Sequence, residues 1–370
     1  MSTSFDVIVI GAGIAGASLA AELQPGKSVL MLEMEERAGY HSTGRSAAMY
    51  LPTYGPAMIQ ALTRASGGFF HAPPSGFADA PLLSPRGELM LVDEAHEAEA
   101  DAARALGLKD ISIAEVRRLL PIVRPESFRL ALFDPAGEDI DVDLLHQGFL
   151  RRLRRAGGQV QCDAAATGLD YRAGRWTVTT RAGNFQASVI VNAAGAWADE
   201  VAKLAGACTV GLQPKRRSAA LVSPPEGVDI SRWPLTFGAG ETFYFKPMGG
   251  KIMISPADAT PVEPHDAWAD DMKIAEAIEL YQMHMDHAIT RLDHTWAGLR
   301  NFAPDGEPVV GYDPQVEGFF WLAGQGGYGI QTSPALSRTA AALICHTDLP
   351  ADVIAEGTSA AAISPRRFHA

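Results

Sequence analysis

The sequence predicts a mixed α/β protein, α+β overall, in which a parallel, doubly wound layer carries a second lobe built largely of antiparallel strands. Three observations predict it. Phe5-Asp-Val-Ile-Val-Ile-Gly11-Ala-Gly13-Ile-Ala-Gly16 runs an apolar strand into a glycine turn and a helix, and Val29-Leu-Met-Leu-Glu33 follows as a second short apolar strand. Apolar runs of the same buried kind return at Ala187-Ser-Val-Ile-Val-Asn192 and at Gly318-Phe-Phe-Trp-Leu-Ala-Gly324. Between Leu212 and Arg300 the pattern changes to short alternating segments such as Thr242-Phe-Tyr-Phe-Lys246 and Lys251-Ile-Met-Ile-Ser255, set off by Pro and Gly. A chain of 370 residues, 47% hydrophobic and 20% charged, has room for both lobes. The expected division is discontinuous, with 1–47, 141–211 and 301–370 in the first unit and 48–140 and 212–300 in the second.

The remaining elements follow in chain order. Gly39-Tyr-His-Ser-Thr-Gly-Arg-Ser46-Ala is polar, glycine-bearing and aperiodic, so it reads as a loop just beyond the strand that ends in Glu33. Ala72-Pro-Pro-Ser-Gly76 and Pro81-Leu-Leu-Ser-Pro-Arg86 mark a departure into other architecture, and Glu88–Val92 is strand-like. Leu144, Leu145, Phe149, Leu150 and Leu153 fall at helical spacing within Asp143–Arg155, and Gly157-Gly158 stops that helix before a strand at Gln159–Cys162. Its arginine run, 151–155, reads as a solvated face with favourable charge near a helix C-terminus. Trp176–Thr180 is a strand, Asp270–His287 a helix, and Ser333-Pro334 an N-cap with proline at the first helical position.

A net charge of −12 argues against nucleic acid or an anionic lipid surface as partner. The first strand begins by Phe5, leaving no room before it for a targeting segment, and no apolar run approaches the roughly 20 residues of a membrane span; a cytoplasmic location is expected. Cys162, Cys208 and Cys345 are odd in number and far apart, which fits neither a disulfide framework nor a thiolate metal site. The histidines form no HExxH pair, and His284 and His287 have no third ligand in pattern, so no metal is expected.

The N-terminal motif has a chemical reading of its own. Gly11 permits the tight turn, Gly13 lets backbone N–H groups approach a pyrophosphate, and Gly16 lets the helix pack closely on the strand. The phosphates then meet a positive helix N-terminus. Glu33 stands about 20 residues beyond, the spacing at which an acid accepts hydrogen bonds from a ribose. A GxGxxG alone is a weak signal, but the strand before it, the helix after it and Glu33 in register make this one specific for a dinucleotide and a Rossmann-type unit. Asn192-Ala-Ala-Gly195 and Gly324-Gln-Gly-Gly-Tyr-Gly329 are two further places where backbone can approach a ligand closely. Glycine loops at three distant places suggest a long cofactor gripped along its length, which favours FAD over NAD.

Taken together, Gly11–Gly16, Glu33, Gly39–Ser46, Asn192–Gly195, Gly211-Leu-Gln-Pro-Lys-Arg-Arg217-Ser, Trp296-Ala-Gly-Leu-Arg300, Pro304-Asp-Gly306 and Gly326–Ser333 resemble the D-amino-acid oxidase family of flavoproteins. Within it the chain is most similar to the bacterial FAD-dependent D-arginine dehydrogenases, over nearly its whole length. The resemblance implies a substrate lobe of the D-amino-acid oxidase type and noncovalent FAD, since no cysteine lies between Cys208 and Cys345. The implied contacts to FAD come from Gly11, Gly13, Ile14, Ala15, Gly16, Glu33 and Met34; from His41, Ser42, Gly44, Arg45, Ser46 and Ala47 of the loop; from Asn192, Ala193, Ala194, Gly195 and Trp197; and from Gly326, Gly327, Tyr328, Gly329, Ile330, Gln331 and Thr332.

The resemblance also assigns a substrate site. Arg217 and Arg300 would grip a carboxylate, Tyr244 would donate a further hydrogen bond, and the backbone of Gly327 would receive the amine. Two guanidiniums and a phenol suit such capture, although each alone reads as surface or structural. The implied reaction is hydride transfer from Cα of a D-amino acid to flavin N5, giving an imino acid that water hydrolyses to a 2-keto acid and ammonia, with a quinone or another carrier rather than oxygen as acceptor. Glu88 matches a carboxylate that meets a cationic side chain, and Tyr54 an aromatic on a closing loop. The same loop departs from the D-arginine dehydrogenases, with Met49 and Leu51 in place of a histidine and a threonine. That exchange shifts the expected preference toward apolar D-amino acids. His146 and His294 read as structural. The rival readings are a relative acting on a secondary amine or 2-hydroxy acid, and a flavin-binding subunit without turnover.

Overall fold

The computed structural model describes residues 4–23 and 26–368; residues 1–3, 24–25 and 369–370 of the expected first unit lie outside the described residues. Strand Ser4–Ile10 sits at the centre of an eight-stranded sheet, parallel to Val29–Leu32 on one side and to Gly183–Asn192 on the other. Gln159–Gln161 continues the sheet beyond Val29–Leu32, and Phe319–Ala323 joins it alongside Ile190–Asn192, both in parallel. Val7–Ile10 and Val29–Leu32 are buried at every position. Helices cover both faces of such a layer, and its strands accordingly read as continuous apolar runs rather than alternating ones. Ile14–Leu23, Val142–Arg155 and Gly329–Cys345 pack together on one face, and Ala198–Leu204 contributes to the core on the other.

Helix ends follow their side chains. The Asp141 carboxylate caps Val142–Arg155 by accepting from Leu144 N at 2.8 Å. The Asp270 carboxylate accepts from Met272 N and Lys273 N to start Asp271–His284, which stops short of the expected His287 because Met285 is already extended. The last large helix corrects the sequence reading: it begins at Gly329, so Ser333 and Pro334 lie inside it rather than at its start. Pro334 has no N–H for the Ile330 carbonyl, and the Ser333 hydroxyl donates to that oxygen instead, at 2.9 Å. The arginine run is less solvated than expected. Arg151 and Arg155 donate to the Phe77 and Gly76 carbonyls, and Arg152 pairs with Glu22 at 2.6 Å. Helix Ala57–His71, which the pattern did not announce, packs on Gly329–Cys345.

The second lobe is a ten-stranded sheet, antiparallel except where Leu235–Gly238 runs parallel to Glu88–Val92. Its register decides what shares a face. Arg217 stands opposite Gly298, Lys215 opposite Arg300 and Ala219 opposite Trp296; Leu221 stands opposite Met253, and Met253 opposite Lys246. Side chains alternate along each strand, so Arg217, Arg300, Tyr244 and Lys246 project from one face. The chain of partners Tyr244, Phe237 and Met90 places Glu88 on that face too. A small sheet of Met49–Tyr50, Leu83–Pro85 and Glu138–Ile140 lies alongside. Among the described residues no helix is long and apolar enough to cross a membrane.

Candidate active site

A cavity of about 420 Å³ is bounded by the glycine turn after the first strand, the ends of the parallel strands and one face of the second sheet. At the turn, Gly11 has φ +105° and its N–H donates to Leu32 O at 2.8 Å. A Cβ there would stand 2.3 Å from the Ala193 carbonyl oxygen, and one on Gly16 would stand 2.0 Å from the Gly11 oxygen. Only glycine fits either place. Glu33 accepts from Ala12 N at 2.9 Å and from Glu35 N at 3.0 Å, while burial lifts its pKa above the usual carboxylate value. It lines the cavity, and two hydrogen bonds leave it lone pairs to offer. The buried His146 ring bonds the Ala12 carbonyl at 2.9 Å, which is the structural place expected for it.

The Gly39–Ala47 loop is tied to the edge of the second sheet. Ser42 Oγ donates to Leu299 O at 2.6 Å, and Arg45 donates to Ala267 O and Ala297 O at 2.9 and 3.1 Å. Trp296 Nε1 returns a bond to Arg45 O at 3.0 Å, and His41 pairs with Glu35 at 2.8 Å. His41, Ser42, Arg45, Ser46 and Ala47 all line the cavity. So do Gly11, Gly13, Ile14, Ala15, Glu33, Met34, Ala193, Ala194, Gly195, Trp197, Gly326, Gly327, Gly329 and Ile330.

Six expected cofactor residues do not line it, each for a local reason. Gly16 packs helix on strand, and Gly44 packs on the Gly39 carbonyl. The Asn192 side chain is fully buried and donates to Ala198 O at 2.7 Å, which shapes the turn from behind. Tyr328 stands against Tyr54, with ring centroids 5.3 Å apart. Helical rotation turns Gln331 toward the Leu51 N–H, at 3.2 Å, and Thr332 toward the Tyr328 carbonyl, at 2.9 Å.

At the other end of the cavity lie Arg217, Tyr244, Arg300 and Gly327. Arg217 Nε donates to Asp258 O at 2.7 Å. The Arg300 guanidinium lies against Gly327 so closely that a Cβ there would be 2.9 Å from its carbon. Burial pushes the Tyr244 phenol up, but the Arg300 and Arg217 charges outweigh it and hold its pKa below the usual phenol value. Burial opposes the Arg300 charge, and the Tyr244 and Tyr54 phenols more than offset that, leaving its pKa raised. Tyr54 stands near enough to Arg300 to raise its pKa yet outside the cavity lining, beside Tyr328.

Glu88 is also outside that lining. It is buried one strand beyond Leu235–Gly238, where desolvation and the neighbouring Asp134 lift its pKa to about 7. Met49 and Leu51 are buried. Met49 Sδ is 3.7 Å from the Lys246 ammonium, which pairs with Asp139 at 2.5 Å. Asp139 also accepts from Arg86 Nε at 2.6 Å.

The profile of the family described as DAO, FAD dependent oxidoreductase, matches residues 6–343. The chain belongs to this family. FAD is its cofactor, and the cavity suits it. Beyond the glycine turn and Glu33, Asn301 Oδ1 and Gln325 Nε2 are buried without partners in residues that line the wall, where the amide groups of a flavin ring would satisfy them.

Two curated relatives of this FAD-dependent oxidoreductase are FAD-dependent oxidoreductase domain-containing protein 1 of Xenopus laevis and mitochondrial sarcosine dehydrogenase of Mus musculus. The first is 28% identical over 180 residues, 43% of this chain and 35% of that protein. The second is 24% identical over 262 residues, 66% and 28% respectively. The chain spans about a third of the length of these relatives. Glycine oxidase from Geobacillus kaustophilus has the same fold, with a TM-score of 0.82 over 98% of both chains at 20% identity. None of the three is a D-arginine dehydrogenase by name.

Sequence reasoning passed over several cavity residues of the oxidoreductase: Thr43, Ala164–Ala166, Val201, Leu204, Gly298, Asn301 and Gln325. Thr43, whose Oγ1 accepts from Ile14 N at 2.9 Å, was legible as a hydroxyl within the loop. The alanines and the Ala198–Leu204 side chains carry no chemical signal and are found only by folding.

Proposed function

We propose that this FAD-dependent oxidoreductase is a dehydrogenase of D-amino acids, with broad side-chain acceptance that includes D-Arg and D-Lys as well as apolar D-amino acids, and that its electrons pass to a quinone or another carrier rather than to oxygen. The observation that carries the reading is that Arg217, Tyr244 and Arg300 face one end of the same cavity whose other end holds the glycine turn and Glu33. Bound FAD would supply the hydride acceptor for the substrate Cα. Arg217 and Arg300 bind the substrate carboxylate through charge-assisted hydrogen bonds, and Tyr244 donates a third. The Gly327 backbone receives the amine, and three points of attachment fix which face of Cα is presented. The amine reacts in its neutral form, so turnover rises as pH strips the substrate ammonium of its proton. Water then hydrolyses the imino acid to a keto acid and ammonia. Among the described residues no cysteine lines the cavity, in keeping with FAD held without a thioether link.

The D-amino-acid preference rests on the matching motifs around Arg217, Arg300 and Gly326–Ser333. A second reading, oxidation of a small or N-methylated amino acid, is favoured by the similarity to sarcosine dehydrogenase. Anaerobic mixing separates the two. D-amino acids are expected to bleach the flavin band, while sarcosine, glycine and 2-hydroxy acids leave it intact; bleaching by sarcosine and by no D-amino acid sinks the first reading.

A further inference from the structure

The residues that make the carboxylate clamp are not held independently. Asp258 is buried, and its carboxylate accepts from Ser218 N at 2.6 Å and from Ser218 Oγ at 2.9 Å. Ser218 follows Arg217 directly, so these bonds fix the peptide from which the Arg217 side chain departs. The main-chain oxygen of Asp258 then accepts from Arg217 Nε at 2.7 Å. One residue therefore fixes both the root of Arg217 and the inner edge of its guanidinium. With Nε occupied, the two terminal amino groups form the edge left to face the cavity, the planar fork that matches a carboxylate.

The same cluster reaches Tyr244. Ser255 stands opposite Tyr244 across the sheet, and its hydroxyl donates to the Ser218 carbonyl at 2.7 Å. Ser255 Oγ also accepts from Ala257 N at 3.2 Å, and Ala257 itself is held at φ +53°, a conformation a non-glycine residue keeps only when its surroundings impose it. Ser218 and Ser255 are both fully buried. A turn this tightly bonded, next to a pair of cavity-facing side chains, has the form of a support that preorganises a site.

We infer that Asp258, acting with Ser218, is the positioning residue that aims Arg217 at the substrate carboxylate. The inference rests on the clamp reading above. Asp258 touches neither substrate nor FAD in this role: it acts through Arg217, so its removal matters only while Arg217 is present.

The test is a double-mutant cycle on the FAD-loaded protein, read by titrating isobutyrate, a plain monocarboxylate, against the flavin absorbance spectrum. Asp258→Ala is expected to weaken isobutyrate binding roughly 10- to 100-fold while FAD content stays at one per chain. Asp258→Asn, which keeps an acceptor for Ser218 N and the main-chain oxygen for Arg217, is expected to confine the loss to about threefold. In an Arg217→Met background Asp258→Ala is expected to change binding by less than about twofold. Equal losses with and without Arg217, or unaltered isobutyrate binding in Asp258→Ala, overturn the inference. If Asp258→Ala does not fold, Ser218→Ala takes its place in the cycle with the same criterion. Wild-type protein that binds no carboxylate refutes the clamp itself, whereas additive variants refute only the role of Asp258.

Discussion

The two ends of the cavity are built on different terms. The cofactor end is made of backbone: a glycine turn, N–H groups and one carboxylate, contiguous within Phe5–Glu33 and repeated at Ala193–Gly195 and Gly326–Gly329. The substrate end is made of side chains from separate strands, Arg217, Tyr244 and Arg300, which meet only because the register of an antiparallel sheet puts them on one face. Backbone recognition needs a local sequence, and at Gly11 and Gly16 it tolerates nothing larger than hydrogen. Side-chain recognition needs a correct fold and leaves each residue replaceable on its own.

That contrast can be broken in order of effect. Gly11→Ala puts a methyl 2.3 Å from a backbone oxygen at φ +105° and is expected to abolish FAD binding, seen as loss of the flavin band from purified protein. Retention of yellow protein would mean that the turn is looser than its geometry. Arg300→Met is expected to do the reverse, keeping FAD while kcat/KM falls about a thousandfold, as when one partner of a buried charged hydrogen bond is removed. Lost FAD in Arg300→Met would show that the two ends are not separable. Lys246→Met leaves Asp139 with Arg86 alone and is expected to cost about 3 kcal/mol in urea unfolding, with FAD stoichiometry intact.

The most pH-dependent effect belongs to Glu88, comparable to that of Lys246→Met above pH 7 and absent at low pH. Its pKa is raised from 4.5 to about 7, so between those values the folded protein holds a proton that the unfolded chain has lost. Stability contributed by this group therefore falls as pH rises through that window, by about 3 kcal/mol once pH exceeds 7. Glu88→Gln cannot ionise and is expected to gain on wild type between pH 5 and pH 8. An equal urea midpoint difference at both pH values would rule out this titration.

Legibility followed the same line. Gly11, Gly13 and Glu33 were readable because their chemistry and their spacing lie within thirty residues, and the parallel strands because they are apolar throughout. Arg217, Tyr244 and Arg300 emerged from resemblance, not from pattern: nothing local marks an arginine as facing a cavity rather than solvent. Gln331 and Thr332 were assigned to the cofactor by the resemblance, and the turn of the helix directs their side chains to the Leu51 N–H and the Tyr328 carbonyl instead. Lys246 was overlooked although a lysine closing the run Thr242-Phe-Tyr-Phe is a conspicuous charge in an inward-facing strand. Asp258 and Ser218 carry no sequence signal, since a buried turn support looks like any loop aspartate.

The central position of strand Ser4–Ile10 has a consequence for synthesis. One of its edges is completed by Val29–Leu32, but the other waits for Gly183–Asn192. At ribosomal speeds of roughly 5–20 residues per second, the first strand is exported on the order of ten to forty seconds before that partner exists. During that interval Val7-Ile-Val-Ile presents an apolar edge with free backbone groups, the part of the nascent chain most in need of a chaperone's cover.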